Sequence, residues 1–214
     1  MNNGARDQVL QMQFDREKMR AVILRTCHAC KADQLGAVKL NKVLYYLDMI
    51  QYAHWRQPVT GATYRKRPNG PTTDQLLFVL REMQNLGQID IRQVNYHGYL
   101  KTEYVPLVEA PQGILNEAEE ALLNDVIEFV CVSNSARSIS EYSHTFPWEM
   151  AEMGGVIPYH SAMLLFPMQP SPEAFEMAEQ EARDVEAARS ESNTVDLPLL
   201  SAFRERILQA AGQR

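Results

Sequence analysis

The most regular pattern of apolar and polar positions in the chain lies between residues 38 and 55, and the other predicted elements are described relative to it. Apolar side chains recur there every three or four residues, which is the spacing of one face of an α-helix. We therefore predict an amphipathic helix over residues 38 to about 55, with this one face directed to the core. Its apolar stripe comprises Val43, Leu47, Ile50 and His54, widened by Leu40 and Leu44.

A stiff turn follows this helix at Pro68-Asn69-Gly70-Pro71. The two proline rings fix their own φ angles, and an Asn-Gly pair readily adopts positive φ. Residues 59–64 lie between the helix and the turn, and we predict that they form a short extended link. The sequence thus predicts a buried helix that is tied to a constrained turn.

Capping residues mark helices on both sides of this segment. Asp15 is placed to cap a helix over residues 16 to about 31. Thr72 and Gln75 have the spacing of a capping box, which predicts a helix from there through residue 86.

A second group of helices is predicted further along the chain. Asn116 and Glu119 again have capping-box spacing and start a strongly apolar helix that continues to residue 132. Residues 133–144 are expected to contain a shorter helix.

Between these two groups of helices, apolar residues occur at every second position, which is the spacing of a β-strand. Ile89 and Ile91 alternate with polar residues, Tyr104 supplies a β-former further along, and residues 95–98 suit a hairpin connection. Two helices followed by a hairpin are typical of a winged helix. This motif occurs in DNA-binding proteins and also as a scaffold in proteins that do not bind DNA. We therefore predict an α+β fold that is predominantly α-helical: a compact helical domain with a small, winged-helix-like β-hairpin and a C-terminal helical tail.

The tail is predicted from a change of composition after Pro167. Residues 171–191 hold seven acidic and two basic side chains, and an acidic helix is expected over 173–189. We predict a core domain at 1–168 and an acidic helical tail at 169–214.

The end of the tail is amphipathic over residues 197–211. Together with the acidic block, this predicts a segment that folds when it docks on a basic partner. Its candidate contact residues are Glu176, Glu179, Phe203 and Ile207.

The sequence predicts neither a membrane span nor a cofactor or metal site. No apolar run approaches the ~20 residues that a transmembrane helix needs. Three cysteines fit a reducing compartment better than a disulfide scaffold, so we expect a cytoplasmic protein. Cys27 and Cys30 form a C-x-x-C motif without a second ligand pair, whereas zinc takes four ligands. We expect these two cysteines and Cys131 in helices of the core.

The five histidines form no catalytic pattern that we recognise. Ser143 and His144 are adjacent in sequence, which makes a hydrogen bond between nucleophile and base awkward, and no Gly-x-Ser-x-Gly elbow surrounds them. We expect Ser143, His144 and Trp148 to form a buried polar clasp. Asp48 lies among apolar residues, so it needs a partner such as a lysine, His144 or the Trp148 indole. We predict that the protein is not an enzyme.

A basic cluster precedes the turn, formed by Tyr64, Arg65, Lys66 and Arg67. It is suited to bind nucleic-acid phosphates or an acidic protein surface. The net charge of −6 and the sequence pI of about 5.4 argue against nucleic acid, so a protein contact is favoured. The sequence leaves open whether the chain forms a homo-oligomer.

These residues together resemble the Panacea domain of SocA-like antitoxins, over about residues 14–166. The specific parts are the Lys-Leu-x-Lys-x-Leu-Tyr helix and the Gly-Pro turn, and Thr72 departs from the apolar residue that is usual after that turn. The signature positions are Lys39, Lys42, Tyr45, Asp48, Gly61, Tyr64, Pro68, Gly70, Pro71, Ser143, His144 and Trp148.

The resemblance implies a non-enzymatic antitoxin of a bacterial or prophage toxin–antitoxin module. Members of the family bind a co-encoded protein toxin and neutralise it; several of these toxins act on translation, and one member delivers its toxin to a protease as an adaptor. The alternatives are a winged-helix transcriptional regulator that binds DNA, or an adaptor that delivers a toxin to a protease.

Overall fold

The computed structural model describes residues 12–96, 98–165, 176–177, 179–181 and 183–184. The chain divides into two units, Met1–Pro167 and Met168–Arg214. All of the elements labelled below belong to the first unit.

Two long helices open the described part of the chain. Helix α1 spans Arg16–Ala29 and helix α2 spans Ala37–Trp55. The predicted cap of α1 is confirmed, because the Asp15 carboxylate accepts a hydrogen bond from the Lys18 N–H at 2.9 Å. Helix α1 ends slightly earlier than predicted, since Cys30 already has an extended backbone.

A short strand, β1 (Tyr64–Arg65), leads to helix α3 (Gln75–Asn85) through the proline turn. The predicted capping box at the start of α3 is wrong. Asp74 is the N-cap, without a side-chain cap bond, whereas Thr72 forms a β-bridge with Arg65. This pairing holds Thr72 in the extended link ahead of the helix, where it is not the N-cap residue.

The predicted hairpin is confirmed as an antiparallel pair of β2 (Ile89–Tyr96) and β3 (Tyr99–Pro106). Its register places Ile91 opposite Tyr104. Both side chains belong to the core or pack against it, so the hairpin covers one side of the helices. His97 of the predicted connection lies outside the described residues.

Helix α4 (Glu117–Ile127) continues directly into a π-helical turn (Glu128–Val132). The predicted capping box is confirmed: the Asn116 side chain accepts from the Glu119 N–H, and the Glu119 carboxylate accepts from the Asn116 N–H. Two orphan donors at the start of the helix are thereby satisfied.

The chain then returns to the proline turn through short elements. Helices α5 (Ala136–Tyr142) and α6 (Phe146–Met150) lead to strand β4 (Val156–Ile157), which pairs antiparallel with β1. A 3₁₀-helix (Tyr159–Leu164) follows β4.

Helix α2 is buried on more sides than its sequence pattern predicts. Helices α1, α4 and α5 and the 3₁₀-helix all pack on it. Four residues of the predicted apolar stripe are fully buried, whereas Ile50 is only partly buried and His54 is exposed; the four are Leu40, Val43, Leu44 and Leu47. The polar and aromatic residues that α2 buries instead include Lys39, Lys42, Tyr45, Asp48 and Gln51.

In its described residues, the first unit is α+β and predominantly helical, with two small two-stranded sheets. Its core is built around α2, with apolar residues from α1, α3, α4 and the hairpin. Within the part of the chain that the structure describes, no helix is both long and apolar enough to cross a membrane.

Only a few residues of the predicted tail are described. Those at 176–177, 179–181 and 183–184 are helical, in the segment where the acidic helix is predicted. Glu176 and Glu179 are exposed there. The amphipathic segment at 197–211, with Phe203 and Ile207, lies outside the described residues.

Candidate functional site

The carboxylate of Asp48 lies fully buried in the middle of α2. It accepts hydrogen bonds from the Thr60 N–H at 2.6 Å, the Thr60 hydroxyl at 2.5 Å, the Tyr64 hydroxyl at 2.8 Å and the Tyr159 hydroxyl at 3.1 Å. All four donors are neutral, and they arrive from the loop after α2, from β1 and from the 3₁₀-helix. The expected partners, a lysine, His144 or the Trp148 indole, are not among them.

Burial dominates the electrostatics of this cluster. Desolvation raises the pKa of Asp48, and the hydrogen bonds from Thr60, Tyr64 and Tyr159 oppose that rise. Burial and the nearby carboxylate raise the pKa of Tyr64 and of Tyr159 as well. Both tyrosines are therefore held as neutral hydrogen-bond donors at physiological pH.

The Tyr159 hydroxyl links the cluster to the backbone. It lies 2.6 Å from the Ala62 carbonyl oxygen and 3.1 Å from Asp48 Oδ2, so its single proton is shared between two acceptors. Gly61, just before Ala62, has φ of +66°, and a side chain there would collide with the backbone of Gln13. The tight loop at Gly61 brings Thr60 and Ala62 to the cluster.

Lys42 is the second fully buried charged residue of α2, and it holds the proline turn. Its Nζ donates to the Pro71 carbonyl oxygen at 2.9 Å. Desolvation lowers the pKa of this amine to about 7. The buried lysine is thus close to its charged–neutral transition at physiological pH.

Gly70 has the positive φ that the Asn-Gly pair predicts, at +90°. A Cβ atom built on it would lie 2.6 Å from Lys42 Nζ and would overlap the Ser143 hydroxyl. Two independent constraints, backbone conformation and space, therefore require glycine at this position.

Helices α5 and α6 hold the turn from the other side through its carbonyl groups. The Ser140 hydroxyl donates to the Asn69 carbonyl at 3.0 Å, and the Trp148 indole N–H donates to the Arg67 carbonyl at 3.1 Å. Together with the Pro71 carbonyl, which accepts from Lys42, three carbonyls of this segment are held by side-chain donors.

The rings of His144 and Trp148 stack with centroids 3.9 Å apart and an interplanar angle of 15°. Burial lowers the pKa of His144, and the positive charges of Lys42 and Lys66 lower it further. Its Nε2 is buried without a hydrogen-bond partner among the described residues. Ser143 does not bond to this ring; its hydroxyl donates to the Ser140 carbonyl at 2.7 Å.

The other signature residues of α2 are also used internally. Lys39 Nζ donates to the Cys131 carbonyl at 2.9 Å, which connects α2 to the π-helical turn. Tyr45 makes edge-to-face contacts with Tyr46 and Tyr64. The signature residues of α2 therefore make internal contacts along the length of this helix.

The basic cluster before the turn is largely engaged in internal contacts. Arg65 and Arg67 approach Asp74 at 3.7 and 3.6 Å, and Lys66 Nζ lies 4.1 Å from the centroid of the Trp148 ring. Tyr64, which the sequence analysis placed among the partner contacts, is only 1% exposed and presents no surface in this structure.

Two surface grooves lie away from this framework. One, of about 490 Å³, is lined by residues 12–18 and 57–59, and the other, of about 310 Å³, lies beside it near Trp55 and Glu119. Neither is lined by a signature residue. Within the described part of the chain, no group of three or more His, Cys, Asp or Glu side chains is arranged to hold a metal ion.

Sequence reasoning missed Thr60 and Tyr159, which donate hydrogen bonds to the Asp48 carboxylate. Tyr159 lies 111 residues from Asp48, and no periodicity connects them. The available signal was the buried position of Asp48 itself, because an acceptor-only carboxylate requires several donors. Thr60, directly before a glycine that forms a tight loop, was the nearest donor in sequence.

Comparison with known families gives one match. A family model described as antitoxin SocA-like, Panacea domain, matches residues 40–149. This is just over half of the 214 residues, and it lies within the range of the resemblance stated above. It includes Lys42, Asp48, Gly70 and Trp148. Comparisons with curated proteins and with solved structures found no match.

Substitution of Gly70 by alanine tests the fit of the proline turn. We expect Gly70→Ala to lower the free energy of unfolding by about 2 kcal/mol or more, because the new methyl group meets Lys42 and Ser143 at positive φ. Gly113→Ala is the matched control: φ is +75° there, but a Cβ meets nothing within 4 Å, so only the smaller conformational cost applies. Urea denaturation measures both. Equal losses in the two variants would contradict the proposed packing at Gly70.

The buried amine of Lys42 predicts a specific pH dependence. Its pKa is about 7 when folded and about 10.4 when unfolded, so the unfolded state binds more protons between these values. The titration of this amine should therefore increase the free energy of unfolding as pH rises from 7 to 9. Relative to Lys42→Met, the wild type should gain about 2 kcal/mol over this interval.

Lys31→Met is the control for this measurement, because it removes one positive charge from an exposed position. Cysteines and tyrosines titrate in all three proteins and cancel in the comparison. Parallel pH profiles of the wild type and Lys42→Met, from urea denaturation at each pH, would refute the buried-amine explanation.

Proposed function

Because this chain belongs to the family of SocA-like antitoxins with a Panacea domain, we propose that it binds a co-encoded protein toxin directly and neutralises it. The observation that carries this proposal is the inward orientation of the signature residues. Lys42, Tyr45 and Asp48 are fully buried and bonded to, or packed against, the protein itself. Their role is to shape a binding platform, and the protein acts by contact rather than by catalysis.

A partner must then be recognised by exposed residues, and the segment around α6 offers apolar ones. We define the α6 patch as Tyr142, Phe146, Met150 and Met153, whose exposed fractions are 60%, 50%, 65% and 62%. Phe146 and Met150 are one helical turn apart and share a face of α6. Exposed apolar groups of this kind are typical of protein-binding surfaces, and methionine adapts to partners of different shape.

The basic cluster borders the α6 patch. Lys66 Nζ donates to the Glu149 carbonyl at 3.2 Å and lies over the Trp148 ring, and both of these residues belong to α6. Arg65 and Arg67 remain partly exposed beyond their contacts with Asp74. An apolar centre with a charged rim is the usual anatomy of a protein–protein interface. We therefore assign Arg65, Lys66 and Arg67 to the rim.

The acidic tail supports a toxin that acts on translation. An enzyme that acts on tRNA or another RNA presents a basic surface to its substrate. Glu176 and Glu179 are exposed on a helical segment and would complement such a surface. We infer that the core domain at 1–168 supplies the platform, that the tail at 169–214 adds the contacts of Glu176, Glu179, Phe203 and Ile207, and that both act in the cytoplasm.

The second candidate function is DNA binding by a winged helix, which the order of α3 and the hairpin favours. Two exposed residues of α3, Leu77 and Phe78, are apolar and offer nothing to phosphates, and Arg81 is the one exposed basic residue of this helix. The arginines of the basic cluster are also already close to Asp74. Contact with a protein is the better explanation of these surfaces.

Charge placed in the α6 patch tests the toxin-binding proposal. We expect the double variant Met150→Glu/Met153→Glu to weaken binding of the adjacent gene's product about tenfold or more and to abolish growth rescue on co-expression. The fold should be unaffected, because both side chains are largely exposed. Binding is measured by calorimetry, and folding by thermal denaturation.

The matched control is Leu100→Glu/Leu107→Glu, which places two carboxylates at exposed positions of the hairpin end and the following loop. It should bind and rescue as the wild type does. Full rescue by the α6 variant would show that the toxin-binding surface lies elsewhere on the protein. A neighbouring gene that is harmless when expressed alone would overturn the antitoxin function itself.

DNA binding is tested separately with the DNA upstream of the gene. We expect no affinity that falls steeply with salt, and no change when Arg65, Lys66 and Arg67 are replaced by alanine. Binding that weakens with salt and is lost in this triple variant would establish the alternative.

A further inference from the structure

Helix α3 has an exposed apolar face that the toxin-binding proposal does not use. On this face, Leu77 and Phe78 are 58% and 67% exposed. The buried residues of the helix lie on its other side, where α3 packs on α1 and β2; they are Leu76, Val79, Leu80 and Met83. Two large apolar side chains exposed side by side on one helix indicate a surface that another molecule covers.

A charged residue lies at each end of this apolar face. Asp74 is the N-cap of α3, and its φ of −69° and ψ of −24° already follow the helical path. Arg81 is exposed near the other end of the helix. Positions 74, 77, 78 and 81 have the spacing of residues that share one helix face. We call these four residues the α3 stripe, which is acidic at its start, apolar in its middle and basic at its end.

Both charges of the α3 stripe can accept a further partner. The Arg81 side chain makes no ion pair or hydrogen bond to any residue that the structure describes. Arg65 and Arg67 approach the Asp74 carboxylate at 3.7 and 3.6 Å, which is beyond hydrogen-bond distance. The carboxylate therefore keeps lone pairs for another donor, and the guanidinium keeps its side-chain N–H groups for an acceptor.

We propose that the α3 stripe binds the α3 stripe of a second copy of this chain, with the two helices antiparallel around a two-fold axis between Leu77 and Phe78. Asp74 lies three residues before Leu77, and Arg81 lies three residues after Phe78. The antiparallel arrangement therefore places Asp74 of each copy opposite Arg81 of the other. The apolar side chains meet in the middle, so one stripe is complementary to itself, as a two-fold interface requires.

The charges select this arrangement, and the apolar side chains supply most of its energy. Parallel helices would place Asp74 against Asp74 and Arg81 against Arg81, which is unfavourable. Exposed ion pairs contribute little on their own, and Arg65 and Arg67 weaken the attraction of Asp74 for a third arginine. Leu77 and Phe78 of two copies offer less apolar surface than the roughly 1,200 Å² that a stable interface buries. The dimer is therefore weak and depends on protein concentration.

Sedimentation velocity of the full-length protein without toxin tests this dimer. We expect a monomer–dimer equilibrium over about 2–200 µM. Phe78→Glu should weaken association about tenfold or more, because it places a carboxylate in the apolar centre of the interface. Leu100→Glu is the matched control, since Leu100 is 81% exposed on the hairpin and lies outside the stripe. This control should associate as the wild type does.

A charge exchange tests the antiparallel arrangement. Asp74→Arg makes both ends of the stripe basic and Arg81→Asp makes both ends acidic, so each variant alone should associate about fivefold or more weakly. An equimolar mixture of the two should recover at least the association of the wild type, because opposite charges then meet at both ends.

The control for the charge exchange uses the exposed ion pair between Arg137 and Glu141 on α5. Arg137→Asp and Glu141→Arg should each associate as the wild type does. Circular dichroism verifies that every variant is folded. Asp74→Arg should fold, because the Asp74 side chain makes no cap hydrogen bond.

Several results would overturn the proposal. These are a wild-type monomer over the whole concentration range, unchanged association of folded Phe78→Glu, unchanged association of both charge variants, or no recovery in their mixture. A monomeric wild type whose binding of the adjacent gene's product is lost in Phe78→Glu would assign the stripe to the toxin instead. Met150→Glu/Met153→Glu should associate as the wild type does, so failure of the dimer and failure of toxin binding at the α6 patch are distinguishable.

Discussion

A carboxylate at the centre of a buried helix constrains the rest of this structure. Asp48 has no solvent contact, so its oxygens must receive hydrogen bonds from the protein. The donors are Thr60, Tyr64 and Tyr159, which belong to three separate segments. Each segment is thereby fixed relative to α2. Loss of any one donor leaves part of a buried carboxylate unsatisfied, at a cost of about 1–3 kcal/mol.

Lys42 imposes the same kind of constraint at an earlier position on α2. Its amine is anchored on the Pro71 carbonyl and leaves no space for a side chain at Gly70. The turn is closed from the opposite side by donors of α5 and α6, such as the Trp148 indole. Asp48 and Lys42 therefore act at different points of one framework: the first fixes the loop after α2 and the second fixes the proline turn.

This arrangement separates a buried framework from the exposed apolar surface. The residues that carry the family signature contact one another, and the side chains with exposed apolar surface, such as Phe146 and Met150, lie outside the signature set. Surface residues can change without loss of buried hydrogen bonds, whereas signature residues cannot.

The sequence by itself determined the local structure and the family. Helical spacing, the caps at Asp15 and Asn116, the strand-like alternation in the hairpin and the positive φ of Gly70 all depend on residues within a few positions of one another, so they could be predicted. The tertiary structure alone decided which groups meet across long separations. The pairing of Asp48 with Tyr159, the burial of α2 on several sides and the contact of Trp148 with the Arg67 carbonyl arise from chain topology, and no local pattern records which distant segment will supply a neighbour.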